Sequence, residues 1–258
     1  TTSPEVDYTI DTELDDTYLS QNSIFIGVDV TEDNVESIDY YLFDSELNPL
    51  DDIPFRTLDE EHNFTELADG TYYYNATVTD KVGLQGSTET RSIILDTTEP
   101  TVNYDDTGTL PDNSFHNQNT LTITTQITEV NIDTVTYILY DSEGNQIGDP
   151  VSLQEEYISY TFTGLTDATY KYDIKVIDKA GSEATTLPRT ITLDTTQPQI
   201  EYIDPTPPDN KYHNQNTLTI TTQITEANVD TVTYMLYDLD GNTIGTPITL
   251  QEDYDSYT

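Results

Sequence analysis

The chain has 258 residues, room for two or three domains of ordinary size, and carries 49 Asp and Glu against 8 Lys and Arg, a formal net charge of −41. Such a surface repels nucleic acid and anionic lipid, because it binds cations and has almost none of its own to exchange for a polyanion's counterions. There is no Cys, so disulfides and thiol chemistry are both excluded, and no run of 18 apolar residues marks a membrane-spanning helix.

Low hydrophobicity with high net charge is also a signature of disorder. Here the 10% aromatic content, with 20 Tyr, and the alternating runs of Ile, Val and Thr argue instead for an acidic β protein.

In chain order, residues 1–4 read TTSP, which matches the phrase LDTTEP at 95–100 and LDTTQP at 193–198 without its front. With no initiator Met and no visible signal peptide, the chain reads as a piece of a longer protein whose targeting segments lie elsewhere. The phrase marks the joints of a repeat with a period of roughly 97 residues. HNQNTLTITTQITE starts at His116 and returns at His213. The first copy is more distant: SQNSIFIGVDVTEDNVESIDYYLFD (20–44) aligns with 117–141, and FTELADGTYYYNATVTDKVG (64–83) with 162–181. The domains expected are therefore 1–96, 97–194 and 195–258.

Each copy reads as strands. In the second, Leu121, Ile123 and Ile127 alternate with Thr122, Thr124, Gln126 and Thr128, the period-2 pattern of a half-buried strand. Val135, Tyr137 and Leu139 then share a face, and the turn DSEGN follows at 141–145, matched by DLDGN at 238–242. Tyr170, Tyr172, Ile174 and Val176 mark another strand, and RTITLD closes the copy. No segment carries a 3.6-residue apolar stripe. About seven short strands per copy, separated by turn signals, predict a β-sandwich. The third copy reaches Thr258, which aligns with Thr161, so its last two strands fall outside the sequence. The expected fold is all-β: tandem antiparallel β-sandwiches, the last one incomplete. Its open edge is completed either by further sequence in a longer array or by a strand from a neighbouring chain.

LDTTxP at the joints, Asp69-Gly70-Thr71-Tyr72 with its counterpart DATY at 167–170, and the TDKVG and IDKAG loops carry a family resemblance. The chain resembles the bacterial and archaeal Ig-like repeats of surface adhesins, S-layer-type proteins and extracellular stalks. The resemblance covers nearly the whole chain and implies Ig-like sandwiches. The DGTY segment also resembles a tyrosine corner, in which a Tyr hydroxyl pins the turn before its strand.

The Ig-like strand order places the joint beside the B–C and F–G loops of the following unit. Asp96 is then expected to face Glu129, Asn131, Asp133 and Asp178, and Asp194 to face Glu226, Asn228 and Asp230. Two readings stay open. Ca²⁺, which takes six to eight oxygen ligands, suits such a group and stiffens the joints with Kd on the order of 10⁻⁴–10⁻³ M. Alternatively these are turn carboxylates, with Asp96 and Asp194 holding the linker through backbone hydrogen bonds. The acid excess over the whole surface reads either as adaptation to high salt or as a coat that keeps crowded stalks apart.

Catalytic chemistry is missing from the pattern. His116 and His213 occupy one repeat position, His62 has no counterpart, and no GxSxG, HExxH, P-loop or dinucleotide fingerprint occurs. LPRTI at 187–191 resembles a sortase signal but lacks its Gly and reads as the start of a strand. Asn63 and Asn75 stand in N-x-Thr triplets, candidate glycosylation sites that would favour an archaeal surface.

The expectation is a non-enzymatic structural region of an extracellular, cell-surface stalk, filament, surface layer or adhesin. Its partners are other copies or repeats of the same protein, with no nucleic acid and no direct membrane insertion in this segment. Two alternatives are a ligand-binding adhesin module that recognises a host or neighbouring-cell partner, and an accessory region of a surface hydrolase.

Overall fold

The structure, a computed structural model, describes residues 2–50, 54–154, 158–251 and 256–257. Every element assigned among them is a β-strand, with no helix. The backbone divides into two compact units. One comprises Thr1–Leu110, Thr122–Thr161 and Lys171–Arg189; the other comprises Pro111–Leu121, Phe162–Tyr170 and Thr190–Thr258.

The first unit holds the whole first copy. Its strands are β1 (Glu5–Tyr8), β2 (Thr17–Leu19), β3 (Ile24–Thr31), β4 (Val35–Phe43), β5 (Phe55–Thr57), β6 (Glu61–Phe64), β7 (Gly70–Asp80), β8 (Gln85–Ser87) and β9 (Arg91–Leu95). One sheet has the order β1-β3-β6; the other runs β2-β9-β7-β4-β5, with β8 on the far half of β7. Side chains alternate between the two faces of a strand, and the sequence pattern uses that. Ile24, Ile26 and Val28 of β3 meet Ile38, Tyr40 and Leu42 of β4, Tyr74, Ala76 and Val78 of β7, and Ile93 and Leu95 of β9 in one buried cluster.

Among the described residues nine strands, rather than about seven, build this copy, and two of the expected strands are each divided. The first leaves its sheet after β1 and joins the other sheet as β2, parallel to β9. The crossing is stapled by a threonine. Thr12 Oγ1 donates to the Gly27 carbonyl at 2.6 Å and accepts from the Gly27 amide at 2.8 Å, standing in for the backbone of an adjacent strand. Gly27 is needed there, since a Cβ would lie 2.4 Å from Thr9 Oγ1. Thr109 makes the same pair of bonds to Thr124, and Thr206 to Thr221. The last strand breaks at Thr88, whose hydroxyl accepts from the Ala76 amide at 3.0 Å; Thr186 repeats this on Ile174.

The second copy supplies β10 (Thr101–Tyr104), β11 (Ser114–His116), β12 (Thr120–Thr128), β13 (Ile132–Asp141), β14 (Val151–Leu153), β15 (Ser159–Thr163), β16 (Ala168–Asp178), β17 (Glu183–Thr185) and β18 (Arg189–Leu193). Both strand orders recur, as β10-β12-β15 and as β11-β18-β16-β13-β14 with β17 on β16. The expected faces are buried: Val135, Tyr137 and Leu139, and Tyr170, Tyr172, Ile174 and Val176. Along β12, Leu121 and Ile123 are fully buried and Ile127 half-buried. Thr125 takes the buried place between them, its hydroxyl on the Ile158 carbonyl. The tyrosine corner is present twice: Tyr72 donates to the Ala68 carbonyl at 3.0 Å and Tyr170 to the Thr166 carbonyl at 2.9 Å.

In the second unit the third copy contributes β19 (Gln199–Ile203), β20 (Ile220–Thr225), β21 (Val232–Tyr234), β22 (Ile248–Leu250) and β23 (Ser256–Tyr257), paired as β19-β20-β23 and β21-β22. Met235, Leu236 and Tyr237, which continue the line of β21, are exposed. Their counterparts in β13 lie beside β16, and residues 195–258 contain no copy of the β16 sequence.

Two substitutions separate core packing from the corner bond. Ile174→Ala is expected to cost about 2–5 kcal/mol through the cavity it leaves. Tyr170→Phe is expected to cost about 1 kcal/mol, one net hydrogen bond. Urea denaturation of the two variants ranks them, and equal losses would contradict this assignment.

Candidate metal centre at the repeated joints

The linker phrase is fastened at both of its ends. Leu95 ends β9, and the chain runs through Asp96, Thr97 and Thr98 to the buried Pro100. Looking back to the first copy, Thr97 donates its amide (2.9 Å) and its hydroxyl (2.8 Å) to Asp69 Oδ1, while the Thr98 hydroxyl donates to Asp69 Oδ2 at 2.7 Å. Asp69 begins the tyrosine corner, so the corner and the linker hold one another. The second copy repeats this clamp. Thr195 donates its amide and hydroxyl to Asp167 Oδ1, both at 2.8 Å, and Thr196 donates its amide (3.1 Å) and hydroxyl (2.5 Å) to Asp167 Oδ2. Asp69 and Asp167 were not among the residues expected from sequence to serve the joint. Their signal was there, as the Asp of DGTY and DATY standing at a fixed distance before each LDTT, but it reads equally well as a turn residue.

Looking forward, Asp96 meets the second copy. Its Oδ2 accepts from Asn131 Nδ2 at 2.8 Å, its Oδ1 accepts from the Thr98 amide at 3.3 Å, and its own amide donates to the Leu19 carbonyl at 2.9 Å. Glu129 Oε1 accepts from the Asn131 amide at 2.7 Å, closing the β12–β13 loop on itself. Asp178, at the end of β16, accepts from the Ser182 amide at 2.8 Å, and the neighbouring Lys179 amide donates to the Asn131 carbonyl at 2.8 Å. One oxygen from each of Asp96, Glu129 and Asp178 lies within 4.8 Å of the others. Asp96 and Asp178 are buried, 5% and 2% exposed, and Asp178 Oδ2 has no hydrogen-bond partner.

Among the described residues no ion pair reaches these three carboxylates; the four that form are Arg56–Asp39, Arg91–Glu89, Lys175–Glu183 and Arg189–Asp106. Lys179, next to Asp178, instead sets its ammonium over the Tyr18 ring of the first copy, 5.1 Å from the centroid. Three oxygens within 4.8 Å of one another can share one Ca²⁺, whose ligands at 2.3–2.6 Å lie up to about 5 Å apart. The donor set is wholly oxygen, as a hard cation requires.

The joint at Asp194 has part of this arrangement. Asp194 Oδ2 accepts from Asn228 Nδ2 at 2.7 Å, and Glu226 Oε1 accepts from the Asn228 amide at 3.0 Å. Glu226 Oε2 is buried without a partner. Asp194, Glu226 and Asp230 line one hollow with Asn228. Asp133 and Asp230 are exposed, and Asp133 is not in the first group. Of the histidines, His62 stacks on Phe55 and has its pKa lowered by burial, His116 bonds Ser114, and His213 is exposed. Asn63 is exposed on the edge strand β6, whereas Asn75, on β7, donates to Thr90 Oγ1. Pro188 precedes β18, consistent with LPRTI starting a strand.

Neither a protein-family model nor a curated protein matches the sequence. Among solved structures, the chain is similar to the fibronectin(III)-like modules of CbhA from Clostridium thermocellum, at 17% identity over 73% of this chain and 94% of that one, with a TM-score of 0.41. It is also similar to the FN1–FN3 domains of chicken CNTN1, at 11% identity over 70% and 66%, with a TM-score of 0.35. A marsupial T cell receptor is similar at 6% identity over 91% and 84%, with a TM-score of 0.46.

The clamp gives a pH signature. The Thr98 hydroxyl, with the donors on Thr97, holds Asp69 below its ordinary value of 3.8. A depressed carboxylate contributes stability that is complete above the unfolded value of about 3.9 and is lost as pH falls through the lowered folded value. In an NMR titration the Thr97 and Thr98 amide resonances are therefore expected to stay constant from neutral pH down to about 4 and to move only below it. Asp69→Ala, which removes three bonds at an exposed site, is expected to cost about 1–2 kcal/mol in urea denaturation.

Proposed function

We propose that this chain is a spacer: the structural repeat region of an extracellular stalk, filament, surface-layer or adhesin protein, with joints stiffened by calcium. One observation carries the reading. The six-residue phrase between copies is bonded backward to Asp69 and forward to Asn131, and the same pair of fastenings recurs at Asp167 and Asn228. A linker whose polar groups are committed on both sides transmits orientation, which is what a spacer does and a flexible tether does not. Calcium is supported at the first joint by the three converging carboxylates and the orphaned Asp178 oxygen. A buried carboxylate oxygen without a partner costs free energy that a cation would recover. The role is non-catalytic and the setting is the cell surface, where millimolar calcium fills sites of Kd 10⁻⁴–10⁻³ M.

A second reading, recognition of a partner by the first copy, has one observation behind it. Tyr41 and Phe43 lie with parallel rings, 6.1 Å between centroids, and Phe43 pairs across strands with Tyr73. The second copy has Ile138, Tyr140 and Lys171 at these places.

Calorimetry with Ca²⁺ is expected to show binding at one site in this chain. A hundredfold excess over Kd then adds about 2.7 kcal/mol to the stability of the residues around Asp96. Micrographs of native material should show rods that become limp in chelator. No heat and no shift in melting would end the calcium assignment, and globules without rods would end the spacer reading.

A further inference from the structure

The joint amides stand in an orientation that a cation site would not use. Asn131 turns its Nδ2 toward Asp96 Oδ2 at 2.8 Å, and Asn228 turns its Nδ2 toward Asp194 Oδ2 at 2.7 Å. An amide nitrogen is a donor only and cannot ligate Ca²⁺; the oxygen on the other arm of the same side chain can. Both amides are anchored from the backbone, since the Asn131 and Asn228 N–H groups are tied to Glu129 and Glu226. A half-turn of the side-chain amide about its last bond would exchange nitrogen for oxygen without moving that backbone.

We infer that Asn131 is a two-position switch that serves as a stand-in for the cation. Without Ca²⁺ its Nδ2–H₂ answers the charge of Asp96 and keeps the joint fastened. With Ca²⁺ the amide turns over, and Oδ1 joins Asp96, Glu129 and Asp178 around the ion. This rests on the calcium reading above and adds the regulation of the site. The joint has two closed states, one locked by an amide and one by a metal, and chelation exchanges one lock for the other. Binding must first break a charge-assisted hydrogen bond, which sets the affinity below that of an all-carboxylate site.

Two features of the chain support the inference. The same amide bond recurs at the second joint, between Asn228 and Asp194. The orphaned Asp178 Oδ2 stands on a buried side chain that meets Asp96 and Glu129, so an oxygen of the turned amide would join an existing group of three. A carboxylate in place of Asn131 would bind the ion more tightly and, without it, would set a fourth charge against Asp96, Glu129 and Asp178.

The test uses the full chain, with calorimetry for Ca²⁺ and hydrogen exchange of the Thr97 and Thr98 amides in EDTA or in Ca²⁺. Asn131→Asp is expected to bind Ca²⁺ at least tenfold more tightly and, in EDTA, to exchange these amides at least tenfold faster than the parent. Ca²⁺ should restore the slow exchange. Asn131→Ala is expected to lose about tenfold in affinity and also to exchange faster in EDTA. Asn228→Ala should speed exchange at Thr195 and Thr196 equally with and without Ca²⁺. Unchanged affinity in Asn131→Ala would overturn the ligand half of the switch, and unchanged exchange in EDTA would overturn the lock half; both leave calcium binding by the parent intact. A parent chain that takes up no Ca²⁺ would instead remove the calcium reading and the switch with it, while slow exchange lost in Asn131→Ala would still show the amide fastening.

Discussion

With 49 acids and 8 bases, few carboxylates of this chain can be answered by a cation, and at the joints the answer comes from donors that carry no charge. Threonine supplies most of them. Thr97 and Thr98 answer Asp69, Thr195 and Thr196 answer Asp167, and amides of Asn131 and Asn228 answer Asp96 and Asp194. The few cations work elsewhere, with Arg91 and Arg189 over the rings of Tyr8 and Tyr104 and Arg56 bidentate on Asp39. Where Asp96, Glu129 and Asp178 meet, the neutral donors run short and Asp178 Oδ2 is left without a partner, as is Glu226 Oε2 at the second joint.

The same economy shapes each sandwich. Where the first strand passes between sheets, Thr12, Thr109 and Thr206 supply the bonds an adjacent strand would otherwise make. Where the last strand breaks, Thr88 and Thr186 do so. Tyr8 and Tyr104 reach the far sheet with their hydroxyls: Tyr8 donates to the Glu89 carbonyl at 2.7 Å, and Tyr104 donates to the Leu187 carbonyl at 3.1 Å. Burial pushes the Tyr8 hydroxyl up to about 12, so it remains a donor throughout the ordinary pH range. The core fills by alternation of apolar side chains, and its exits are closed by hydroxyls.

Much of this was legible in the sequence. Alternation placed the faces of β13 and β16, and the repeated DGTY and DATY placed the corners that Tyr72 and Tyr170 form. The repeat, read with an Ig-like order, brought Asp96 toward Glu129, Asn131 and Asp178. What escaped has a common cause. Thr12, Thr88, Thr97 and Thr98 act through single hydroxyls, and in a Thr-rich chain one more Thr carries no periodic signal that separates a staple from a surface residue. The division of the outer strands escaped for the same reason, since it depends on those hydroxyls and not on hydrophobic pattern. Asp133 and Asp230 were grouped with the joint by the same Ig-like order; both are exposed, and Asp230 lines the hollow that Asp194 and Asn228 share.

The fastening at each joint is made from two texts that every full copy carries. An Asp before the corner and a Thr-Thr pair at the tail form one half, and a Glu-x-Asn loop near the head forms the other. Head and tail of one copy therefore suit the tail and head of any sibling. Duplication of a single stretch of gene yields a working connection at once, with no new surface to be invented. Such a chain can lengthen by copying, and the long stretches that residues 117–161 share with 214–258 are in keeping with that mode of growth.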